Sequence, residues 1–188
     1  MYVLAINTSP HTSSCLLRDG EVVWYIEEER LSRIKNHGYE KVDRILGTGC
    51  KYYALDKVKE FTNYIDYVIF ASFGRGEDDN IIIQSHLNQF ESTGLDVGEV
   101  KFFPQNHHVY HAASGFYQSG FEESACLILD GGGTAIGEID GKPIREVESI
   151  YHLEYPCKLS TKFKNFSTGG SHPGLFEKND NIVYTDSL

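Results

Sequence analysis

The chain has 188 residues, a formal net charge of −10 at pH 7, 40% apolar residues and 13% aromatic residues. This composition is typical of a globular core and excludes an intrinsically disordered chain. The acidic balance, without a run of Lys and Arg, disfavours nucleic acid as a partner. No apolar run is long enough for a membrane helix, and the first residues show no secretory signal. With four widely spaced cysteines, these features predict a protein of the reducing cytoplasm.

The chain opens with a pattern of three short strands. A turn rich in hydroxyl groups and backbone donors, which includes Asn7 and Ser9, follows the first strand. Such a turn can be a solvated loop, and it can also wrap a phosphate. Asp19-Gly20 is a strong two-residue hairpin signal between the second and third strands. The three strands are predicted at residues 2–6, 15–17 and 21–26.

The next part of the chain alternates between helical and strand patterns. Residues 27–38 are densely charged, with acids first and bases after, and the charge pattern alone predicts a solvated helix or loop. A meander followed by alternating helices and strands predicts a layered α/β domain. The predicted elements are a helical region at residues 39–62, a strand at 67–71, a loop at 74–79, a helix at 80–90 and a strand at 100–103.

The segment 106–133 carries the strongest chemical signal. His107 and His111 are four residues apart, so a helix places both rings on one face, where they can grip a metal ion. Asp130 ends the strand predicted at residues 125–129 and can add an oxygen ligand. Gly131 to Gly133 then let backbone amides approach an anion. Taken singly, the histidines fit a plain helix surface and the glycines a hairpin turn, but together they predict a metal beside a phosphate.

Residues 127–150 repeat the order of residues 3–26: strand, turn, strand, Asp-Gly hairpin, strand. We interpret this as an internal duplication, with a first lobe at residues 1–123 and a second lobe at 124–188. The pattern weakens after Tyr151, and residues 158–173 are polar and predict no strand. The second lobe is therefore predicted to be incomplete, and either a longer chain or a second chain would complete it.

Two stretches resemble the NodU/CmcH-type O-carbamoyltransferases: VLAINTSPHTSSCLLRDGEVVWYIEEERLSRIKNHG and HHVYHAASGFYQSGFEESACLILDGGG. The resemblance implies the layout of the actin-like ATPase and sugar-kinase superfamily. It predicts a ribonuclease-H-like first lobe, with a three-stranded meander and then alternating helices and strands, followed by the start of a similar lobe. It also implies that His107, His111 and Asp130 are metal ligands, and that the metal is iron-like.

The resemblance assigns further roles by position. His11 falls on a histidine thought to act as a base near the acceptor hydroxyl. Lys35 and Arg33 fall on a basic segment, which makes them candidates for holding the carbamoyl or phosphate group. Thr12 and Thr134 stand where relatives usually have Asp and Glu.

The implied reaction moves a carbamoyl group from carbamoyl phosphate, through an ATP-derived carbamoyl-adenylate, to a hydroxyl of a small molecule. It requires the rest of the second lobe and an adenylate-forming domain, for which this sequence offers no candidate. An alternative is a non-catalytic remnant that serves binding or assembly. Transfer onto tRNA is disfavoured by the acidic charge.

Overall fold

The structure is a computed structural model that describes residues 1–8, 11–37, 51–71, 77–103, 106–168 and 182–184. It contains two compact units. Unit 1 comprises Met1–Ser72 and Gly76–Phe103, and unit 2 comprises Phe73–Arg75 and Pro104–Leu188. Within the described ranges, no helix combines the length and the apolar character needed to cross a membrane.

Unit 1 is built on a mixed sheet with strand order β3-β2-β1-β4-β5. The first three strands form an antiparallel meander, and β4 and β5 extend the sheet in parallel from the free edge of β1. This arrangement confirms the predicted α/β fold class, with a meander followed by alternating helices and strands. The strands are β1 (Tyr2–Asn7), β2 (Ser13–Arg18), β3 (Glu21–Glu27), β4 (Tyr64–Ala71) and β5 (Asp96–Phe102).

Three helices belong to the described part of unit 1: α1 (Glu28–Ser32), α2 (Tyr53–Val58) and α3 (Glu77–Thr93). The core joins sheet residues such as Leu4 and Leu16 to Leu55 of α2 and Phe90 of α3. α2 lies within the helical region predicted at 39–62, of which residues 39–50 fall outside the described residues. The loop predicted at 74–79 needs correction because α3 already begins at Glu77.

Both predicted Asp-Gly hairpin turns are confirmed. Asp19 and Gly20 have φ values of 54° and 90°, and Asp140 and Gly141 have 51° and 74°. Positive φ at both central residues is what the tight two-residue hairpin requires, and Asp and Gly tolerate it better than most residues.

Within its described residues, unit 2 contains one helix and a second sheet with strand order β10-β9-β8-β6. Its strand pairing differs from the predicted meander, because β6 pairs with β8 rather than with β7. β8 is long enough to pair with β7 through its first residues and with β6 through the rest. The elements are α4 (His107–Ser119), β6 (Glu123–Leu129), β7 (Ala135–Ile139), β8 (Lys142–Glu154), β9 (Lys158–Ser167) and β10 (Ile182–Tyr184).

The strand β9 corrects the prediction that residues 158–173 form a polar, strandless segment. It pairs with β8 from Lys158 to Ser167. Two register shifts in β8, between Glu146 and Glu148 and between Ile150 and Tyr151, interrupt this ladder. Such irregularities break the alternation of inward and outward side chains, so a strand of this kind lacks the period-two pattern that sequence reading depends on.

Helix α4 packs on the sheet of unit 2. Its residues Ala112 and Phe116 form a buried cluster with Tyr151 and Leu153 of β8. The repeat predicted a lobe boundary between residues 123 and 124, with this helix in the first lobe. By its contacts the helix lies in the second compact unit, which resumes at Pro104.

Candidate metal centre

The candidate metal ligands lie at two ends of secondary structure in unit 2. Helix α4 begins at His107, and Ala112 and Phe116 turn its other face into the core. His111 follows one turn later on the same face as His107. Asp130 comes directly after β6, and its amide donates to the carbonyl of Val147 at 2.9 Å, which keeps the residue in register with β8.

The structure brings His107, His111 and Asp130 together. His107 Nε2 lies 2.9 Å from Asp130 Oδ2 and 3.1 Å from His111 Nε2. The two imidazole rings are nearly perpendicular, at 89°, with centroids 4.6 Å apart. One ligand atom from each of the three residues lies within 4.8 Å of the others. Two nitrogens and one oxygen therefore converge on one small volume.

These distances fit a shared cation. Two nitrogens that each lie about 2.1 Å from one ion are separated by roughly 3.0–3.4 Å at angles between a right angle and the tetrahedral angle. The 3.1 Å between the two Nε2 atoms falls in this range. Two imidazoles and one carboxylate are also a donor set that zinc, iron and other borderline divalent metals accept. The residues present thus fit a divalent metal by both distance and chemistry.

The charge states of two of these ligands favour cation binding. Burial, with the neighbouring His111, lowers the pKa of His107 despite the opposing effect of Asp130. Burial alone would raise the pKa of Asp130, but His107, the Gly131 amide and His108 together outweigh it and lower that pKa. At neutral pH the site therefore offers a neutral imidazole and an ionised carboxylate, which are the forms that bind metal.

His108 is a buried neighbour of the three candidate ligands His107, His111 and Asp130. It is fully buried, and its Nδ1 lies 2.7 Å from Ser149 Oγ. Its Nε2 is 3.7 Å from Asp130 Oδ2, which is close but beyond a good hydrogen bond. Burial lowers the pKa of His108 to about 4, so its ring is neutral and adds no positive charge beside a cation.

The glycine loop after Asp130 is held closely against this support. A Cβ at Gly133 would lie 2.8 Å from two ring atoms of His108 and 3.2 Å from Cβ of Glu146. The Gly133 amide donates to the carbonyl of Glu146 at 2.7 Å. The Gly131 amide hydrogen bonds to the Asp130 carboxylate. These two amides therefore have partners within unit 2, and the contact of the Gly132 amide with an anion stays a prediction.

Asn7, a candidate for phosphate contact, and His11, the candidate base, lie in unit 1. Asn7 ends β1, and its side-chain nitrogen donates to the carbonyl of His11 at 3.3 Å, which closes the turn. The His11 side chain is exposed. Ser9 lies outside the described residues. The turn leading from β1 is anchored by Thr8, whose amide donates to the carbonyl of Ala71 at 3.0 Å.

Arg33 and Lys35 lie just beyond α1 in unit 1. Arg33 ends this helix in a left-handed conformation, with φ of 63°. The turn that follows is fixed by Glu29, whose carboxylate accepts the Asn36 amide at 3.1 Å. Both basic side chains are exposed. The helix in the charged segment is therefore only five residues long. Arg33 and Lys35, the two positively charged candidates for holding the carbamoyl or phosphate group, lie directly after it.

Sequence reading missed three residues that shape the centre. The i, i+4 spacing of His107 and His111 does not point to His108, which lies between them. Thr134 is buried, and its hydroxyl oxygen accepts a hydrogen bond from the His107 amide at 3.4 Å. This bond links the glycine loop to the start of α4. Glu146 is 1% exposed and pairs with Lys164. The triple glycine before Thr134 was the one available signal, since it indicates close packing around the loop.

Comparison with curated proteins finds a similar nodulation protein. No family model matches the chain. Among curated proteins it is similar to the nodulation protein NolNO of Sinorhizobium fredii (strain NBRC 101917 / NGR234), with 32% identity over 208 aligned positions that cover 92% of this chain. The chain is a homologue of a NodU/CmcH-type protein. The resemblance predicted from the motifs is thereby confirmed, and the chain spans 30% of the relative's length.

Among solved structures, the chain is similar to YeaZ from Pseudomonas aeruginosa. The identity is 17% and the TM-score 0.39, over 86% of this chain and 68% of that one. A TM-score this low carries no weight for the fold, which is defined by the strand order of unit 1 and its meander.

Proposed function

We propose that this chain forms the metal-binding part of an O-carbamoyltransferase. The proposed reaction moves a carbamoyl group from carbamoyl phosphate, through carbamoyl-adenylate made with ATP, to a hydroxyl group of a small molecule. The observation that carries the proposal is the convergence of His107, His111 and Asp130. Homology to NolNO, a NodU/CmcH-type protein, supports a carbamoyltransferase-related function.

His107 and His111 would hold a divalent metal through their Nε2 atoms, with Asp130 as the oxygen ligand. We propose iron, as the resemblance implies, although this donor set also accepts other borderline metals. When bound, the metal would neutralise negative charge on the adenylate phosphate. The Gly132 amide would add a hydrogen bond to that phosphate, since backbone amides after a strand are common anion donors.

The residues of unit 1 supply the remaining roles in the proposal. The exposed imidazole of His11 would accept the proton of an incoming hydroxyl as a general base. Lys35 and Arg33 can pair with the carbamoyl oxygen or a phosphate, and Arg offers a two-pronged contact for the latter. Asn7 and Ser9 would contribute polar contacts from the turn after β1.

The complete reaction is expected to need polypeptide beyond the aligned region. The chain covers 30% of NolNO, and adenylate formation is a separate chemical step for which the described residues offer no site. We propose the cytoplasm as the compartment, in agreement with the free thiols of Cys15, Cys126 and Cys157.

The proposal is tested with a chimera in which this chain replaces the aligned region of NolNO. With ATP, carbamoyl phosphate and a panel of hydroxylated acceptors, we expect carbamoyl transfer to be detected by mass spectrometry. His11→Ala should leave ATP consumption intact but slow the transfer by about 10²–10⁴-fold, the usual contribution of a general base. His152→Ala is the control, because that histidine belongs to β8 and pairs with the exposed Glu123 at 2.7 Å.

Two outcomes would count against the proposal. Equal transfer by the His11→Ala and parent chimeras would remove the base role. Metal binding without transfer to any acceptor would favour the alternative of a non-catalytic binding or assembly module.

A further inference from the structure

The glycine loop that follows Asp130 is held against strand β8 by backbone hydrogen bonds. The Asp130 amide donates to the carbonyl of Val147 at 2.9 Å, and the Gly133 amide donates to the carbonyl of Glu146 at 2.7 Å. These bonds fix the position of the loop relative to residues 145–147 of the strand. The side chain of Arg145 therefore starts from backbone that is anchored to the loop.

The side chain of Arg145 lies along the glycine loop. Its Nη1 donates to the carbonyl of Gly133 at 3.2 Å. A Cβ at Gly132 would lie 3.5 Å from Cδ of Arg145, so the aliphatic part of the side chain passes close to this glycine. Neighbouring Cα atoms are about 3.8 Å apart, which places Cα of Gly132 within about 7.6 Å of Cα of Asp130. The half-buried guanidinium group thus lies close to a candidate metal ligand.

The positive charge of Arg145 is not balanced by a carboxylate. A guanidinium group has five N–H donors, and within the described ranges Arg145 forms no ion pair with an acidic residue. Lys164 of β9 differs in this respect, because it pairs with the buried carboxylate of Glu146. Of these two basic side chains, Arg145 is therefore the one whose charge can serve a bound anion.

The start of α4 contacts the same loop region. The His107 amide donates to the hydroxyl oxygen of Thr134, the residue that follows the glycines, at 3.4 Å. The helix runs for 13 residues, and its first turn contains no acidic residue. The positive end of the helix dipole therefore adds to the attraction that Arg145 exerts on an anion.

The charges around the loop favour one class of anion. A divalent metal with Asp130 as its charged ligand leaves one net positive charge, because the histidines bind as neutral imidazoles. Arg145 adds a second positive charge, whereas Glu146 and Lys164 cancel each other. A phosphate joined to two groups carries one negative charge, and a phosphate monoester carries up to two. The local charge therefore matches the monoester better.

We infer that Arg145 is an anion-binding residue of this centre and that it favours a phosphate monoester, the class of AMP, over a phosphate with two substituents. The inference rests on the proposed function for the identity of the anion, since AMP is the product that leaves carbamoyl-adenylate. The contact with a phosphate depends only on the position of Arg145 beside the glycine loop.

The preference for a dianion gives Arg145 a role in the proposed transfer step. The acceptor oxygen forms a bond to the carbamoyl carbon, and the bond between that carbon and the phosphate oxygen breaks. The electron pair of the broken bond stays on the phosphate oxygen, and the hydroxyl proton passes to the base. The phosphate thereby gains a second negative charge. Arg145 stabilises this charge as it develops, so it binds the leaving group more strongly than the reactant.

The test measures binding of AMP to the full chain loaded with Zn²⁺, by isothermal titration at pH 8 and constant ionic strength. Arg145→Met should weaken AMP binding by about 10–100-fold, the usual cost of losing a hydrogen bond to a charged group. The methyl ester of AMP, which has one negative charge fewer, should lose only a few-fold. Arg145→Lys should restore part of the affinity for AMP, because it keeps the charge without the planar fork.

Lys142→Met is the matched control for the loss of one positive charge. Lys142 lies on the same strand as Arg145, is exposed and pairs with Ile139 of β7 rather than with the glycine loop. Its replacement should leave the affinities for AMP and for the methyl ester as they are in the parent. Zinc content is measured in every sample, so loss of the metal is separated from loss of the anion contact.

A second measurement uses the chimera of this chain with NolNO. Arg145→Met should lower kcat for transfer more than it changes KM for the carbamoyl donor, because the contact strengthens as the second charge develops. A chimera that transfers no carbamoyl group, although AMP binding depends on Arg145, would remove the proposed function and leave the anion site in place.

Three results would overturn the inference. One is equal AMP affinity of Arg145→Met and Lys142→Met. Another is an equal loss of AMP and of its methyl ester in Arg145→Met, since this would show that Arg145 only holds the loop through Gly133. The third is a parent chain that binds Zn²⁺ but shows no preference for AMP over the methyl ester.

Discussion

Glu28 of unit 1 and Asp130 of unit 2 are two sequestered carboxylates with opposite pKa shifts. Glu28 is 1% exposed, and burial raises its pKa to about 7 although the amides of Tyr53 and Ala54 donate to it. At Asp130 burial also acts to raise the pKa, but the imidazoles of His107 and His108 and the Gly131 amide outweigh it. Its pKa is therefore lowered.

The difference separates a structural carboxylate from a ligand. Glu28 caps the start of α2 with neutral backbone donors, which do not offset the loss of solvation. Asp130 instead faces imidazoles and a backbone amide that lower its pKa, so it is ionised at neutral pH. A buried acid is thus a candidate cation ligand when its neighbours stabilise the anion, and burial alone indicates little.

The largest expected effect is the loss of metal affinity when a candidate ligand is replaced. His107→Ala or Asp130→Asn should weaken binding of one equivalent of Fe²⁺ or Zn²⁺ by more than about 100-fold, because each change removes one of few ligands. Glu28→Gln and His152→Ala should leave affinity unchanged. Isothermal titration under anaerobic conditions measures this, and equal affinity of the two ligand variants and the parent would contradict the assignment.

The buried carboxyl group of Glu28 is expected to make the stability of the fold depend on pH. Because the folded pKa of Glu28 lies above its ordinary value of 4.5, folding favours the protonated carboxyl. Its contribution is fully present below pH 4.5 and is lost as pH rises to about 7, with a change of up to about 3 kcal/mol. Glu28→Gln should remove this part of the pH dependence. Urea unfolding of both proteins across that pH range measures it, and parallel curves would refute the burial account.

The glycine loop offers a smaller and more local test. Gly133→Ala should lower metal affinity by about 10–100-fold, because the new Cβ displaces His108 or the loop that carries Asp130. Gly137→Ala is the matched control, since its Cβ would meet Ile144 Cδ1 at an ordinary 3.7 Å. Similar losses in both variants would show a general effect on the strands rather than on the centre.

The smallest effect on metal affinity is expected from Ser149, which contacts His108 rather than a candidate metal ligand. Ser149→Ala removes the hydroxyl that lies 2.7 Å from His108 Nδ1. The free energy of unfolding should fall by about 1–3 kcal/mol, because a buried polar nitrogen loses its partner. Metal affinity should fall only a few-fold, since His107, His111 and Asp130 remain. A loss as large as that of His107→Ala would mean that His108 is itself a ligand.

Features with a local cause were predictable from the sequence. The Asp-Gly turns follow from the conformational freedom of those residues, and the approach of His107 to His111 follows from helical spacing. The approach of both histidines to Asp130 agrees with what the strand end and the glycine loop predict. The resemblance to a known family supplied the roles of His11 and Lys35, which no local pattern reveals.

Features with a non-local cause were not predictable. Strand β9 is polar and paired across register shifts, so its existence depends on the backbone ladder of β8. The pairing of β6 with β8 depends on the length of β8, which no single segment shows. The use of the Gly133 amide by Glu146 likewise appears only when two distant segments meet.

The most direct measurement is anomalous diffraction from crystals of the chain grown with Fe²⁺ or Zn²⁺. The account predicts one strong peak about 2.0–2.2 Å from Nε2 of His107, Nε2 of His111 and a carboxylate oxygen of Asp130. Contrary evidence would be a fully loaded protein whose only peak lies elsewhere, with the three side chains free of metal.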